Sequence, residues 1–474
     1  MILIQRINSA IKLFIVLAMW ITYTLQAEVK DPIILQHADV LQGSETASGP
    51  VRELRGNVSL SQGNVSVQCD YAIQYVNQNS VEMSGNVIVK QNGLILSMPS
   101  GHYDGFSKLA KGSGGVEIND RGRILKALYG DYNTENYLAR FFGNVLVEDD
   151  STKIYADSAY YERSNRNSTA YGNVSVYSKH NKAIIDGNIA YSFPEQGLTR
   201  IVGKPILYLI DSTIIQDSML QKPKVDSIVV PEKKATKKIT SKKQTTTKKA
   251  DITNKTVESS FVVHKTMKYD TMFVSADTLE TFQHNGDMYK AKQNVEMIRS
   301  SMFALCNNAE FYPNNDSVTL NGSPMIWYDS TVLSADKVDL HIHNKKVEKI
   351  DAIGSAFAIM NDDTVRKNRA QQISGKRIEV MVYSDTIRQI ISSKDARSLY
   401  FRVDDDGNPD GAAKNSSDSI KVRFESGEPE SIVWLGGVQG EVFPEHIIAG
   451  KENEFDLPGK PSERKKPIKK KRKN

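Results

Sequence analysis

The pentapeptide Gly56-Asn57-Val58-Ser59-Leu60 returns along the chain as Gly85-Asn86-Val87-Ile88-Val89, Gly114-Gly115-Val116-Glu117-Ile118, Gly143-Asn144-Val145-Leu146-Val147 and Gly172-Asn173-Val174-Ser175-Val176. The glycines are spaced by 29 residues four times without a slip. A fixed period of this length is the mark of a repeat architecture, in which one supersecondary unit stacks on the next.

Within the unit, Val58, Val87, Val116, Val145 and Val174 share one column, and Leu60, Val89, Ile118, Val147 and Val176 lie two residues on. The residues between them are of mixed polarity. Apolar side chains at i and i+2, mostly β-branched, indicate a strand with one buried face; a helix needs spacings of three and four. A second strand follows in each unit. Val67, Leu96, Leu125, Ile154 and Ala183 form one of its columns, and Cys69, Met98, Ala127, Ala156 and Ile185 form another. Asp70, Asp157 and Asp186 come next, with Pro99 and Leu128 in the other two units, and then a scatter of tyrosines. Polar turns such as Asn77-Gln78-Asn79 and Asn133-Thr134-Glu135 join the strands. The recurrent glycine, inside a strand pattern, is expected to bend the strand from one wall of a stack to the other.

Residues 1–27 read as a secretory signal, with Arg6 and Lys12 ahead of a short apolar run from Leu13 to Ile21 and a cleavage-like Leu25-Gln26-Ala27. The first repeat region is expected over 28–220. Residues 221–260 hold eleven Lys against four acidic residues, with no apolar periodicity, and read as a solvated linker. A looser second module is expected over 261–450. There Gln293-Asn294-Val295 stands where Gly-Asn-Val should be, and Gly322-Ser323-Pro324 follows 29 residues later. Asp404 to Ser417 is expected to be a long surface loop, and 451–474 a basic disordered tail. The whole chain is +5. Without the linker, the tail from Lys460 and the signal, the remainder is −12, so a basic nucleic-acid-binding face is not expected.

No catalytic constellation stands out. The Asp column (Asp70, Asp157, Asp186, Asp277, Asp336) resembles the carboxylate rows of glycan-cleaving β-helices, but a residue repeated in unit after unit reads as structural. His341 and His343 share a strand face without an evident third ligand, so neither metal nor cofactor is expected. Cys69 and Cys306 occupy the same small inward column and read as buried thiols. The inward aliphatics leave two architectures open. A closed sandwich would use them as its own core, whereas an open, folded stack would present them as a groove; periodicity fits both.

Ile154-Tyr155-Ala156-Asp157-Ser158-Ala159-Tyr160-Tyr161, followed by Ala170-Tyr171-Gly172-Asn173-Val174, resembles the recurring unit of the OstA-like (organic solvent tolerance protein A) family. Leu54-Arg55-Gly56-Asn57-Val58 and Phe141-Phe142-Gly143-Asn144-Val145 fit the same pattern. That family includes the lipopolysaccharide-transport proteins LptA and LptC and the periplasmic part of LptD. The resemblance implies an all-β fold: a stacked antiparallel β-jellyroll (β-taco) of 29-residue repeats in two modules. It implies a non-enzymatic, periplasmic protein that shields the acyl chains of lipopolysaccharide or a related lipid. It also implies partnership with other Lpt-type β-jellyroll proteins, and with further copies head to tail, by edge-strand pairing. The groove expected on this reading is lined by Val58, Leu60, Val67, Val87, Val89, Leu96, Val116, Ile118, Leu125, Val145, Val147, Ile154, Val174 and Val176. The alternative is a closed β-repeat scaffold of the cell envelope without lipid cargo.

Overall fold

The structure, a computed structural model, describes residues 31–180, 183–209, 271–283, 288–299, 302–343, 346–360, 368–425, 427–462 and 464. The signal read at 1–27, the Lys/Thr-rich stretch 221–260 and the basic run 465–473 lie outside the described residues. The described residues form chiefly a stack of antiparallel strands, 28 of them hydrogen-bonded into one sheet.

Each long strand is bent in the middle. In Ser80–Gln91, residues 80–84 pair with Tyr71 to Tyr75, and the register then breaks before pairing resumes beyond Val87. At the break, Gly85 and Asn86 both have left-handed backbones, with φ of +75° and +45°. Two successive left-handed residues swing the strand through the corner, so its first arm belongs to one wall and its second to the other. The same break recurs at Gly56-Asn57, Gly143-Asn144 and Gly172-Asn173. The stack is therefore a V in cross-section. One wall (wall A) holds arms such as 71–75, 80–84 and 100–104. The other (wall B) holds arms such as 65–69, 87–91 and 94–98.

A carboxylate fastens the bend. Asn86 Nδ2 donates to Asp70 Oδ2 at 2.8 Å, and Asp70 lies so close over Gly85 that a Cβ there would meet Oδ2 at 2.5 Å. Asn57 with Asp39 (3.0 Å) and Asn173 with Asp157 (2.8 Å) repeat the clasp. The second repeat region keeps it despite losing the glycine. Gln293 and Asn294 are left-handed (φ +63° and +51°), and Asn294 donates to Asp277 at 2.6 Å. Asp186 does not join this series. It accepts from Ser175 Oγ at 2.9 Å, and Asn188 takes the clasp position over Gly203, because the spacing from Asp157 has lengthened by two residues.

Pairing runs across the Lys/Thr-rich stretch. Ile206–Leu209, the last strand described before that stretch, pairs with Met272–Ser275, the first described after it. Leu198–Val202 pairs likewise with Thr278–Phe282. The two repeat regions thus share one sheet, and one apolar core runs from Ile33 to Val422.

Two expectations near the C-terminus are corrected. Pro409–Glu425 is a strand, not a loop, held between Thr386–Val403 on one side and Glu428–Leu435 and Gln439–Phe443 on the other. Residues 451–462 of the expected tail are folded against the sheet. The short helix Glu445–Ile448 and the 3-10 turn Glu452–Phe455 lie over Phe357, Leu399 and Phe401 on the outer face of wall B. Arg369 pairs with Glu445 and Glu452, and the Leu457 amide donates to Gln372 Oε1, which fasten this segment down.

The bend predicts its own sensitivity. Gly85→Ala should cost about 1–2 kcal/mol or more, since the alanine would have to hold a left-handed backbone and displace Asp70. Gly43→Ala, with open space around it, should stay within about 0.5 kcal/mol of wild type. Urea midpoints of the two variants check the contrast.

Candidate functional site

The groove residues expected from the sequence all lie on the inner face of wall B. Val58, Leu60, Val67, Val87, Val89, Leu96, Val116, Ile118, Leu125, Val145, Val147, Ile154, Val174 and Val176 are each 3% exposed or less. They are brought together because each wall B arm alternates in and out, and neighbouring arms pair in register (Leu60↔Val67, Val67↔Val89, Val89↔Leu96, Leu96↔Ile118).

The facing wall was not identified from the sequence. Its inner face carries Leu54, Ala72, Val81, Met83, Tyr103, Ala110, Tyr132, Ala139, Phe141 and Tyr161, all buried. One in-register row there reads Val81, Tyr103, Ala110, Tyr132, Ala139, Tyr161. Large and small residues alternate, so each ring lies beside an alanine. The signal that could have found this row is the 29-residue recurrence of Tyr103, Tyr132 and Tyr161.

The two walls touch. The space bounded by Ile33, Leu60, Val67, Val81, Met83 and Tyr103 has no room for a water molecule. At this end of the stack the interior is packed wall against wall.

Opposite the bend, the mouth of the V is closed by a polar seam. Tyr103 OH donates to Gln62 Oε1 at 2.6 Å, Tyr132 OH to Gln91 Oε1 at 2.7 Å, and Tyr161 OH to Asp120 Oδ2 at 2.7 Å. Both partners of the rung advance by 29 residues each time. The glutamines also reach main chain across the mouth: Gln62 Nε2 donates to Gly105 O (3.0 Å) and Gln91 Nε2 to Thr134 O (2.7 Å). Every one of these bonds involves a side chain, whereas the bend side of the V is covalent chain and strand ladder. Burial pushes the Tyr103, Tyr132 and Tyr161 hydroxyls above their ordinary pKa, so at neutral pH they are donors.

The remaining candidates are structural in position. Asp70, Asp157 and Asp277 hold bends, and Asp336 lies over Gly354 in the same way. His341 and His343 stand opposite Lys349 and Lys346, and among the described residues no three potential metal ligands gather. Cys69 and Cys306 are buried free thiols. Burial pushes Cys69 up to about 11 and Cys306 up to about 12.

With the V and its seam in view, the likeness to known proteins can be placed. Residues 30–186 match the family model described as OstA-like protein. Over that stretch the chain is similar to the OstA-like family. The match spans the N-terminal repeats, where the Asp and Gly-Asn clasp and the Tyr and Gln seam occur. Among solved structures, the crystal structure of LptH, the LptA homologous periplasmic component of the conserved lipopolysaccharide transport device from Pseudomonas aeruginosa, is similar over 30% of this chain and 95% of its own. The identity is 13% and the TM-score 0.24. No curated protein matches.

Two outcomes follow from the closed interior. Tyr132→Phe leaves Gln91 Oε1 without its donor and should cost about 1–3 kcal/mol, whereas Tyr129→Phe, on the outer face, should cost almost nothing; thermal unfolding compares them. Cys69 and Cys306 should stay unreactive toward a thiol reagent at pH 8 and react once denaturant is added, because the buried thiols are protonated there.

Proposed function

We propose that this protein is a non-enzymatic carrier of lipopolysaccharide or a related lipid in the periplasm, and that it takes acyl chains between its two walls. The observation that supports this most is the combination of a continuous aliphatic interior with a mouth closed by side-chain hydrogen bonds. An acyl chain that enters replaces wall-to-wall contact with wall-to-chain contact, and both are apolar. The cost is then chiefly the seam, at about 1 kcal/mol net per hydrogen bond. Each CH2 removed from water returns about 0.8 kcal/mol, so a few methylenes per rung offset the loss.

The family match over 30–186 supports the transport reading. The free edges suit assembly. At one end, Ile34–His37 and Val40–Thr46 each pair with a single strand among the described residues, and Ile34, Val40 and Leu41 are about half exposed. Unpaired edges accept further strands, so other Lpt-type β-jellyroll proteins or another copy would pair there. Under this reading the two repeat regions form one conduit, since their strands are paired. The second reading, a closed scaffold, is favoured by the absence of a water-sized void at the N-terminal end of the interior.

In-cell photo-crosslinking separates the two. A crosslinking residue at Val116, Leu96 or Val147 should capture lipopolysaccharide, and one at the turn residue Asn165 should not. A folded protein that gives no adduct at any of the three interior positions would be a scaffold.

A further inference from the structure

The seam changes character at its third rung. In the first two rungs a glutamine meets the tyrosine; in the third, Asp120 does. Beside it lies Arg123, whose side chain is fully buried. Its Nη2 donates to Ser168 Oγ at 2.8 Å and Ser192 Oγ at 3.1 Å. Its Nη1 is 3.7 Å from Asp149 Oδ2, and neither Nε nor Nη1 makes a hydrogen bond. Two further buried polar atoms without partners, Asp120 Oδ1 and Arg166 Nε, belong to the same group of side chains. Arg163 approaches Asp120 at 3.5 Å. Burial holds the Arg123 guanidinium below its ordinary pKa, and the Arg166 charge adds to that effect.

The fold does not require an arginine here. One and two repeats earlier, the positions of Arg123 and Ser168 are held by Leu94 with Ala139 and by Val65 with Ala110, all buried. The tyrosine row of wall A also changes. Tyr161 is followed in register by Ser168, Ser192, Thr199 and Thr281, four buried hydroxyl residues where earlier repeats alternate tyrosine with alanine or valine. A buried cation with open donors costs several kcal/mol unless an anion joins it. Arg123, Arg163 and Arg166 outnumber Asp120 and Asp149. Guanidinium beside hydroxyls is the donor set that suits a phosphate-type oxyanion.

We infer that Arg123, with Ser168 and Ser192 and with Arg166 at its edge, forms a seat for a phosphate-type oxyanion at the mouth of the interior. The chains of an amphiphile would lie between the walls and its anionic head in this seat. The chain part of this statement rests on the carrier reading; the anion part does not.

Three probes separate the parts: dodecyl phosphate, dodecyl maltoside and inorganic phosphate, titrated by calorimetry below micellar concentration into the full chain. Wild type should bind dodecyl phosphate about tenfold or more tightly than dodecyl maltoside, and Arg123→Gln should bring the two together. The double variant Arg123→Leu with Ser168→Ala rebuilds the apolar pair of the preceding repeat. It should fold as wild type does, shown by an unchanged circular dichroism spectrum, and should also lose the preference. If inorganic phosphate binds with the same dependence on Arg123 while neither amphiphile exceeds it, the seat stands with a free anion as its source and the carrier reading falls. If both amphiphiles bind wild type equally, and inorganic phosphate binds wild type and the double variant alike, there is no seat and the chains alone are held.

Discussion

The structure depends on a short clasp. An aspartate lies over a glycine of the next strand and accepts a hydrogen bond from the asparagine that follows it, as in Asp70 over Gly85-Asn86. Without the two left-handed residues the strands would run straight, and the sheet would be one open surface with its aliphatic face in water. With them, the long strands turn from one wall to the other, and the sheet folds over as a V. The clasp tolerates substitution where the geometry is kept. Leu128 packs on Gly143 without a carboxylate, and Gln293 holds a left-handed backbone where other units have glycine.

Closing the V puts all the apolar columns on one inner surface, and that leaves the mouth as the place where the two walls meet without a shared backbone. The tyrosine and glutamine rungs answer this need. They satisfy polar groups that would otherwise be buried unpaired, and they are weak enough individually to exchange. A core sealed by strand pairing would need unfolding to admit anything. One sealed by side chains would open by exchange of those hydrogen bonds alone. Under the carrier proposal, the open groove and the closed sandwich would be two states of one architecture.

The sequence carried the bend, the strand type and wall B, because Val and Leu at alternate positions with a fixed period have few other meanings. It did not reveal wall A, whose inner face mixes tyrosine with alanine and so lacks a simple apolar alternation. The tyrosines were visible as a recurrence, but their partners Gln62 and Gln91 lie 41 residues away on another strand, and no local pattern links them. Asp186 was misplaced because the spacing lengthens by two residues before Asn188. The strand Pro409–Glu425 read as a loop because Gly411, Ala412, Ala413, Asn415 and the serines have little intrinsic strand preference. Paired strands on both sides decide its conformation. The fully buried Arg123 left no mark in a charge count, and only comparison with Leu94 and Val65 in register shows it to be unusual.

The most direct measurement of the central claim is a distance across the mouth. Spin labels at Asn92, on the wall B tip, and Glu135, on the wall A tip, flank the rung of Gln91 and Tyr132. A second pair at Glu135 and Asn165 lies within wall A. Pulsed electron resonance with and without bound lipid should show the Asn92 to Glu135 distance widening while the Glu135 to Asn165 distance holds. Lipid bound with the mouth distance unchanged would mean that the interior stays a sealed core and that lipid is carried elsewhere on the molecule.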